Sequence, residues 1–149
     1  ESWISGRIVE SYKGLHATGH AHSIECWEKE EGSERRLVGG LYGVSFDSVF
    51  CGESMFSLAD NASKVALCWL VACLKLAKFK LLDCQFMTDH LASMGAVEMP
   101  QKAYLKLVAM ARHTPDMGLI EAFESFSNNS QGDHSSPGKL IAQSLIQTS

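Results

Sequence analysis

The sequence predicts an α/β fold, a mixed and mostly antiparallel sheet flanked by helices, and three observations predict it. Strand-like runs at 21–27 and 37–46 are joined by the charged, glycine-containing stretch 28–36, the pattern of a hairpin. A segment at 62–77 is apolar nearly all round, has helical length, and lies between short apolar runs at 49–51 and 79–85. Helix and strand signals alternate along the chain, which calls for layers of both.

Each element has a local reason. Ile4, Ile8, Tyr12 and Leu15 recur at helical spacing, and Gly19 would stop a helix over 4–18. In 21–27, Ile24 and Cys26 share one face while Ser23, Glu25 and Trp27 share the other. The returning strand 37–46 carries Gly39, Gly40 and Gly43, which suggests a bulge or a close backbone approach. Val49-Phe50-Cys51 reads as a short strand leading into a turn at Gly52-Glu53-Ser54, and Asp60-Asn61 reads as a helix cap before the apolar helix. That helix, apolar on every side, belongs in the centre of the fold. Residues 79–85 read as a strand, 88–93 as one helical turn ending at Gly95, and 96–99 as a short strand. Pro100 opens a last helix to about Arg112. Residues 119–126 suit a helical turn or two, and the Ser-, Asn- and Gly-rich stretch 125–138 is expected to lack order. The expected organisation is one catalytic domain over 1–113 and a divergent, partly disordered tail over 114–149.

Composition narrows the function. The 149 residues are 46% apolar and 20% charged, the balance of a soluble domain able to bury a core. No apolar run approaches the roughly 20 residues of a membrane span; the longest, Val65–Leu76, contains Lys75 and is flanked by Lys64 and Lys78. Glu1-Ser2-Trp3 offers no basic start or apolar signal core. Five cysteines, an odd number without a C-x-x-C pair, argue against a disulfide framework or zinc site and fit a cytoplasmic setting. Net charge is −4, yet residues 60–113 hold seven bases against four acids, so phosphate contact there competes with an ordinary solvated surface.

Seven stretches follow one another in a distinctive order: Trp3-Ile4; His20-Ala21-His22-Ser23-Ile24-Glu25-Cys26-Trp27; Leu37-Val38-Gly39-Gly40-Leu41-Tyr42-Gly43-Val44; Phe50-Cys51-Gly52-Glu53-Ser54-Met55-Phe56-Ser57; Asn61-Ala62-Ser63-Lys64; Leu82-Asp83-Cys84-Gln85; and His90-Leu91-Ala92-Ser93-Met94-Gly95-Ala96. Together they resemble the leucyl/phenylalanyl-tRNA–protein transferase family, from residue 3 to about residue 112. The resemblance implies a GNAT-like acyltransferase domain that takes Leu or Phe, and less well Met, from the 3′ end of aminoacyl-tRNA. The acyl group would go to proteins beginning with Arg or Lys, marking them for degradation by a cytosolic protease. No cofactor, metal or membrane is implied, and a monomer is expected. The loop at 28–36 is longer than the family leads one to expect, and the segment after about residue 113 departs from its ending.

Asp83 and Gln85 stand at i and i+2 near the end of a predicted strand, so they point the same way while Cys84 points into the other layer. A carboxylate beside an amide can orient an amine and polarise its N–H; the same pair can equally cap a turn. The resemblance assigns the catalytic role to Asp83 and Gln85, and to Glu53 the holding of the acceptor's Arg or Lys or of its reacting amine. It assigns the donor side-chain pocket to Leu41, Phe50, Cys51, Met55, Leu67, Leu70, Leu74 and Leu82, positions that otherwise read as core, and counts Gly52 and Ser54 among the substrate-binding residues. Trp3 matches a tryptophan that stacks on the terminal adenosine. Lys64, Lys75, Lys78 and Lys80 are candidates for tRNA phosphates.

Other chemistries fit less well. His16, His20 and His22 lack an acidic or thiol partner at metal-site spacing, and nothing local joins Cys84 to His90 as a nucleophile and base. Two rivals stand beside the transferase: a GNAT-like enzyme using acyl-coenzyme A, whose phosphates Glu53 would repel, and a non-catalytic module that binds protein N-terminal residues.

Overall fold

A computed structural model describes residues 4–29, 32, 34–132, 138, 139, 141 and 142. The elements run α1 (Gly6–Ala17), β1 (Ala21–Glu28), β2 (Arg36–Phe46), β3 (Val49–Ser57), α2 (Ala62–Leu76), β4 (Leu81–Asp83), α3 (Asp89–Ser93), α4 (Gln101–Met110) and α5 (Leu119–Gly132). The sheet has the order β1-β2-β3-β4. Its first three strands form an antiparallel meander, and β4 returns parallel to β3 after the crossover through α2. The expected mixed, mostly antiparallel sheet is therefore present, with helices on both faces.

Local chemistry sets the ends of the helices. Ser5 caps α1 by accepting from the Ile8 N–H. Its last turn closes with His20 N–H to Leu15 O and Gly19 N–H to His16 O, around Gly19 at φ 77°. The same closure ends α2, with Phe79 N–H to Leu74 O around Lys78 at φ 60°. At the start of α2, Asn61 makes no side-chain cap; Ser57 Oγ instead accepts the Ser63 N–H at 3.2 Å. Pro100 occupies the N-cap of α4, as its fixed φ favours.

The core lies between the sheet and α2. Leu41 and Phe50 from the sheet meet Ala66, Leu67, Leu70, Cys73 and Leu74 of α2, with Leu119 and Ala122 of α5 closing the cluster. Close approach explains two of the strand glycines. A Cβ on Gly39 would lie 2.5 Å from the Ala62 Cβ, where α2 begins, and one on Gly43 would lie 2.5 Å from the Phe50 ring. On the opposite face α1 docks through Tyr12, whose ring meets Tyr42 edge-on at 5.3 Å.

Four expectations change. Gly52-Glu53-Ser54 is no turn, because β3 continues to Ser57 and pairs with β2 on both sides of Glu53. The strand expected over 79–85 shrinks to Leu81–Asp83. Residues 96–99 form no strand. The helix after Pro100 is followed by another, α5, which runs through Gly132 across much of the stretch expected to lack order. Within its first half, Phe123 and Phe126 pack on the Trp69 ring, at 5.0 Å and 6.4 Å. No helix among the described residues is long and apolar enough to cross a membrane.

Candidate functional site

Register fixes which side chains share a face. Phe50 pairs with Leu82, and Cys51 with Asp83. Phe50 and Leu82 turn towards α2, so alternation sends Cys51 and Asp83 to the other face. Glu53 has its own device. Tyr42 pairs with Ser54 and Gly43 with Gly52, leaving Glu53 as the extra residue of a β-bulge. The bulge sets its carboxylate beside Tyr12 of α1. Burial, then the neighbouring Glu53 carboxylate, pushes the Tyr12 phenol up to about 12.

Asp83 is held at both oxygens. Oδ1 accepts the Gln85 backbone N–H at 2.8 Å, and Oδ2 accepts the Tyr104 hydroxyl at 2.8 Å. The first bond is a side chain capping its own chain two residues on. It supports Gln85 at φ 61°, a left-handed conformation that costs a residue with a Cβ about 1–2 kcal/mol. Phe86 N–H donates to Cys84 O at 2.7 Å across the same turn. Gln85 thus stands at the apex of a tight turn, and Asp83 and Gln85 do not project side by side from a strand. The bond to Asp83, then burial, pushes Tyr104 up to about 12. Burial, then the charges of Asp83 and Glu53, pushes Cys51 up to about 11.

Beside the β4 edge an open cavity of about 1080 Å³ is walled by α2, β4, the segment through α3, and α4. Leu67, Leu74, Leu82, Asp83 and Gln85 all line it. Leu41, Phe50 and Leu70 are interior instead, at 6%, 0% and 1% exposure. Met55 packs against that core and does not floor the cavity. Cys51, Gly52 and Ser54 lie along β3 outside the cavity lining, and Trp3 lies outside the described residues. Lys75 and Lys80 reach the cavity, whereas Lys78 pairs with Asp116 at 2.6 Å and Lys64 is exposed in the first turn of α2. The histidines bond to the chain itself: His16 Nδ1 lies 2.9 Å from Ala21 O, and His20 Nδ1 and His22 Nε2 meet Ser45 at its O (3.3 Å) and Oγ (3.2 Å).

Tyr104, Tyr12 and the cavity-lining Phe79 and Phe86 escaped the reading of the sequence. Tyr12 carried only a periodicity signal, and nothing marks Tyr104 as the partner of a carboxylate 21 residues away. The tyrosines give the fold an alkaline limit. Their folded values lie above the ordinary 10, so the stabilising contribution is complete below pH 10 and is lost as pH rises through 12. Cys51 and Cys73, raised from 9 to about 11, begin the same loss from pH 9. Thermal melts between pH 8 and 12 should show a falling melting temperature, and replacing both Tyr12 and Tyr104 by Phe should flatten the part above pH 10. An unchanged slope in that variant would assign the loss elsewhere.

The fold is an α/β domain in which Asp83, the last residue of β4, and Gln85, in the turn after it, line an open cavity at the end of a β-α-β unit. The chain belongs to the leucyl/phenylalanyl-tRNA protein transferase family, whose sequence pattern matches residues 1–109. It is 50% identical to the leucyl/phenylalanyl-tRNA–protein transferase of Novosphingobium aromaticivorans, with all of this chain and 66% of that protein aligned. It is 59% identical to the protein of the same name in Zymomonas mobilis over 74% of this chain and 40% of the other. Against that of Rhizorhabdus wittichii it is 56% identical, over 74% and 43%. The chain thus spans less than two thirds of the length of these relatives.

Proposed function

We propose that this chain is the GNAT-like catalytic part of a cytoplasmic aminoacyltransferase. It moves Leu or Phe, and less readily Met, from aminoacyl-tRNA to the N-terminal Arg or Lys of acceptor proteins, marking them for degradation. The observation that carries this reading is the Asp83–Gln85 pair lining an apolar cavity in a chain of this family. The antiparallel meander followed by a parallel strand supports the GNAT-like description. The reaction is aminolysis of an ester: a neutral α-amine attacks the ester carbonyl, a C–N bond forms, and the bond to the ribose oxygen breaks. The proton shed by the amine ends on that departing oxygen. An α-amine of pKa about 7.7–8 is partly neutral at physiological pH, so holding and modest polarisation suffice. The Gln85 side chain has both donor and acceptor groups, able to accept from the amine N–H. Asp83 fixes the turn that carries it and adds negative field beside the developing ammonium.

Leu67, Leu74 and Leu82 supply an apolar wall for the donor side chain. Such a wall selects by shape, at roughly 1–3 kcal/mol per methylene. Glu53, re-aimed by its bulge, is the carboxylate for the acceptor's basic first residue. The test is incubation of the full chain with radiolabelled Leu-tRNA and an Arg-starting peptide, with an Ala-starting peptide and acetyl-coenzyme A in parallel arms. Label should pass to the Arg-starting peptide alone, and Glu53→Gln should raise the KM for peptide more than that for Leu-tRNA. Binding of peptide without release of tRNA would leave a non-catalytic module, and equal loss of both substrates would remove the role given to Glu53.

A further inference from the structure

Helix α4 buries none of its residues, so core packing does not explain how it is held. Its C-terminal end is anchored at Ala111, fully buried, whose carbonyl accepts from both Ser48 N–H at 3.1 Å and Ser48 Oγ at 2.9 Å. Midway along it, Tyr104 reaches the cavity wall and donates to Asp83 Oδ2. A carboxylate held at one oxygen can swing about its side-chain torsions. Held at both oxygens by donors from two directions, it has one plane. The second donor here is the backbone of Gln85 itself, in a conformation that depends on that bond.

We infer that Tyr104 is a positioning residue for the transfer site: its hydroxyl locks the Asp83 carboxylate, and through it the left-handed turn that presents Gln85 to the cavity. This rests on the aminoacyl-transfer reading of Asp83 and Gln85. The effect passes along two hydrogen bonds, hydroxyl to carboxylate to backbone amide, and needs no contact between Tyr104 and the reacting atoms. The phenol, raised to about 12, remains a donor at neutral pH. Bonds to a charged partner are the stronger kind, so losing one loosens the turn appreciably.

The experiment compares the full chain with Tyr104→Phe, which keeps the ring and removes the donor. Steady-state transfer from Leu-tRNA to an Arg-starting peptide should show kcat lowered about tenfold, with the KM for Leu-tRNA within about twofold, as expected for the loss of one bond to a charged group. Hydrogen exchange followed by NMR should show the Gln85 amide exchanging several times faster, while amides in the β1–β2 ladder keep their rates. Unchanged kcat, or an unchanged Gln85 amide, would overturn the inference. Failure of the transfer reading is a separate result: Asp83→Asn transferring at the parent rate would remove Asp83 from the chemistry, while exchange at Gln85 would still report whether Tyr104 holds the turn.

Discussion

Asp83→Asn is expected to lower aminoacyl transfer about a hundredfold or more, the size typical of a lost proton-handling or charge-orienting group, with little change in melting temperature. The two existing bonds give the reason for both halves. An asparagine in the same place can keep its oxygen on the Gln85 N–H and turn its amide NH₂ to the Tyr104 oxygen, which then accepts. The turn and the contact to α4 survive, and what disappears is the negative charge that the proposed mechanism sets beside the attacking amine. Asp83→Ala removes both bonds as well. It leaves the Gln85 amide without its side-chain acceptor and releases its left-handed conformation, so it should cost stability as well as activity. Initial rates with Leu-tRNA and an Arg-starting peptide, beside thermal melts of both variants, check this. If Asp83→Asn turned over within a fewfold of the parent chain, charge at this position would have no part in the chemistry and the pair would be a turn cap alone.

Much of the scaffold was legible because hydrophobic periodicity reports burial directly. The alternation of Ile24 and Cys26 against Ser23 and Glu25 matches β1, and the all-round apolar run matches α2, which meets the sheet on one side and α5 on the other. Two of the misreadings share a cause, that pairing partners distant in sequence decided the outcome. Gly52-Glu53-Ser54 has turn composition, yet β2 lies alongside and the misfit is absorbed as a one-residue bulge. Residues 96–99 are apolar enough for a strand but are joined to no neighbouring strand. Gln85 left the strand because the Asp83 side chain competes for its N–H, a local effect that composition hints at and cannot decide. The first half of α5 is tied to α2 by Phe123 and Phe126 on Trp69. The candidate site rests chiefly on family resemblance. Spacing alone gave Asp83 and Gln85 two readings, and the turn geometry satisfies the capping one while the cavity beside it supports the other.

Phe50→Ala should be the most destabilising simple truncation in the chain, by about 3–5 kcal/mol. Its ring is fully buried and sits where all the layers meet: Leu41 on β2, Leu67 and Leu70 on α2, and Leu82 as its register partner on β4. The His22 ring lies 6.5 Å from it, and Gly43, which lacks the Cβ that would strike it, leaves room for it across β2. Little can collapse into the vacated space, because Gly43 has no side chain, Ala66 has only a methyl, and the two α2 leucines are already buried against their own neighbours. The residual cavity therefore adds to the lost transfer energy. Against a total stability of about 5–15 kcal/mol for a domain, the melting temperature should fall by about 6–20 °C, at roughly 2–4 °C per kcal/mol for a chain of this size. Transfer activity should fall with it even below the melting point, since Leu82, one residue before Asp83, loses its partner. Denaturant titration would show a lower midpoint at an unchanged slope. A loss under about 1 kcal/mol, far below the range for a buried phenylalanine, would mean that the ring is not packed between sheet and helix, and the assignment of sheet faces on which the site depends would fall with it.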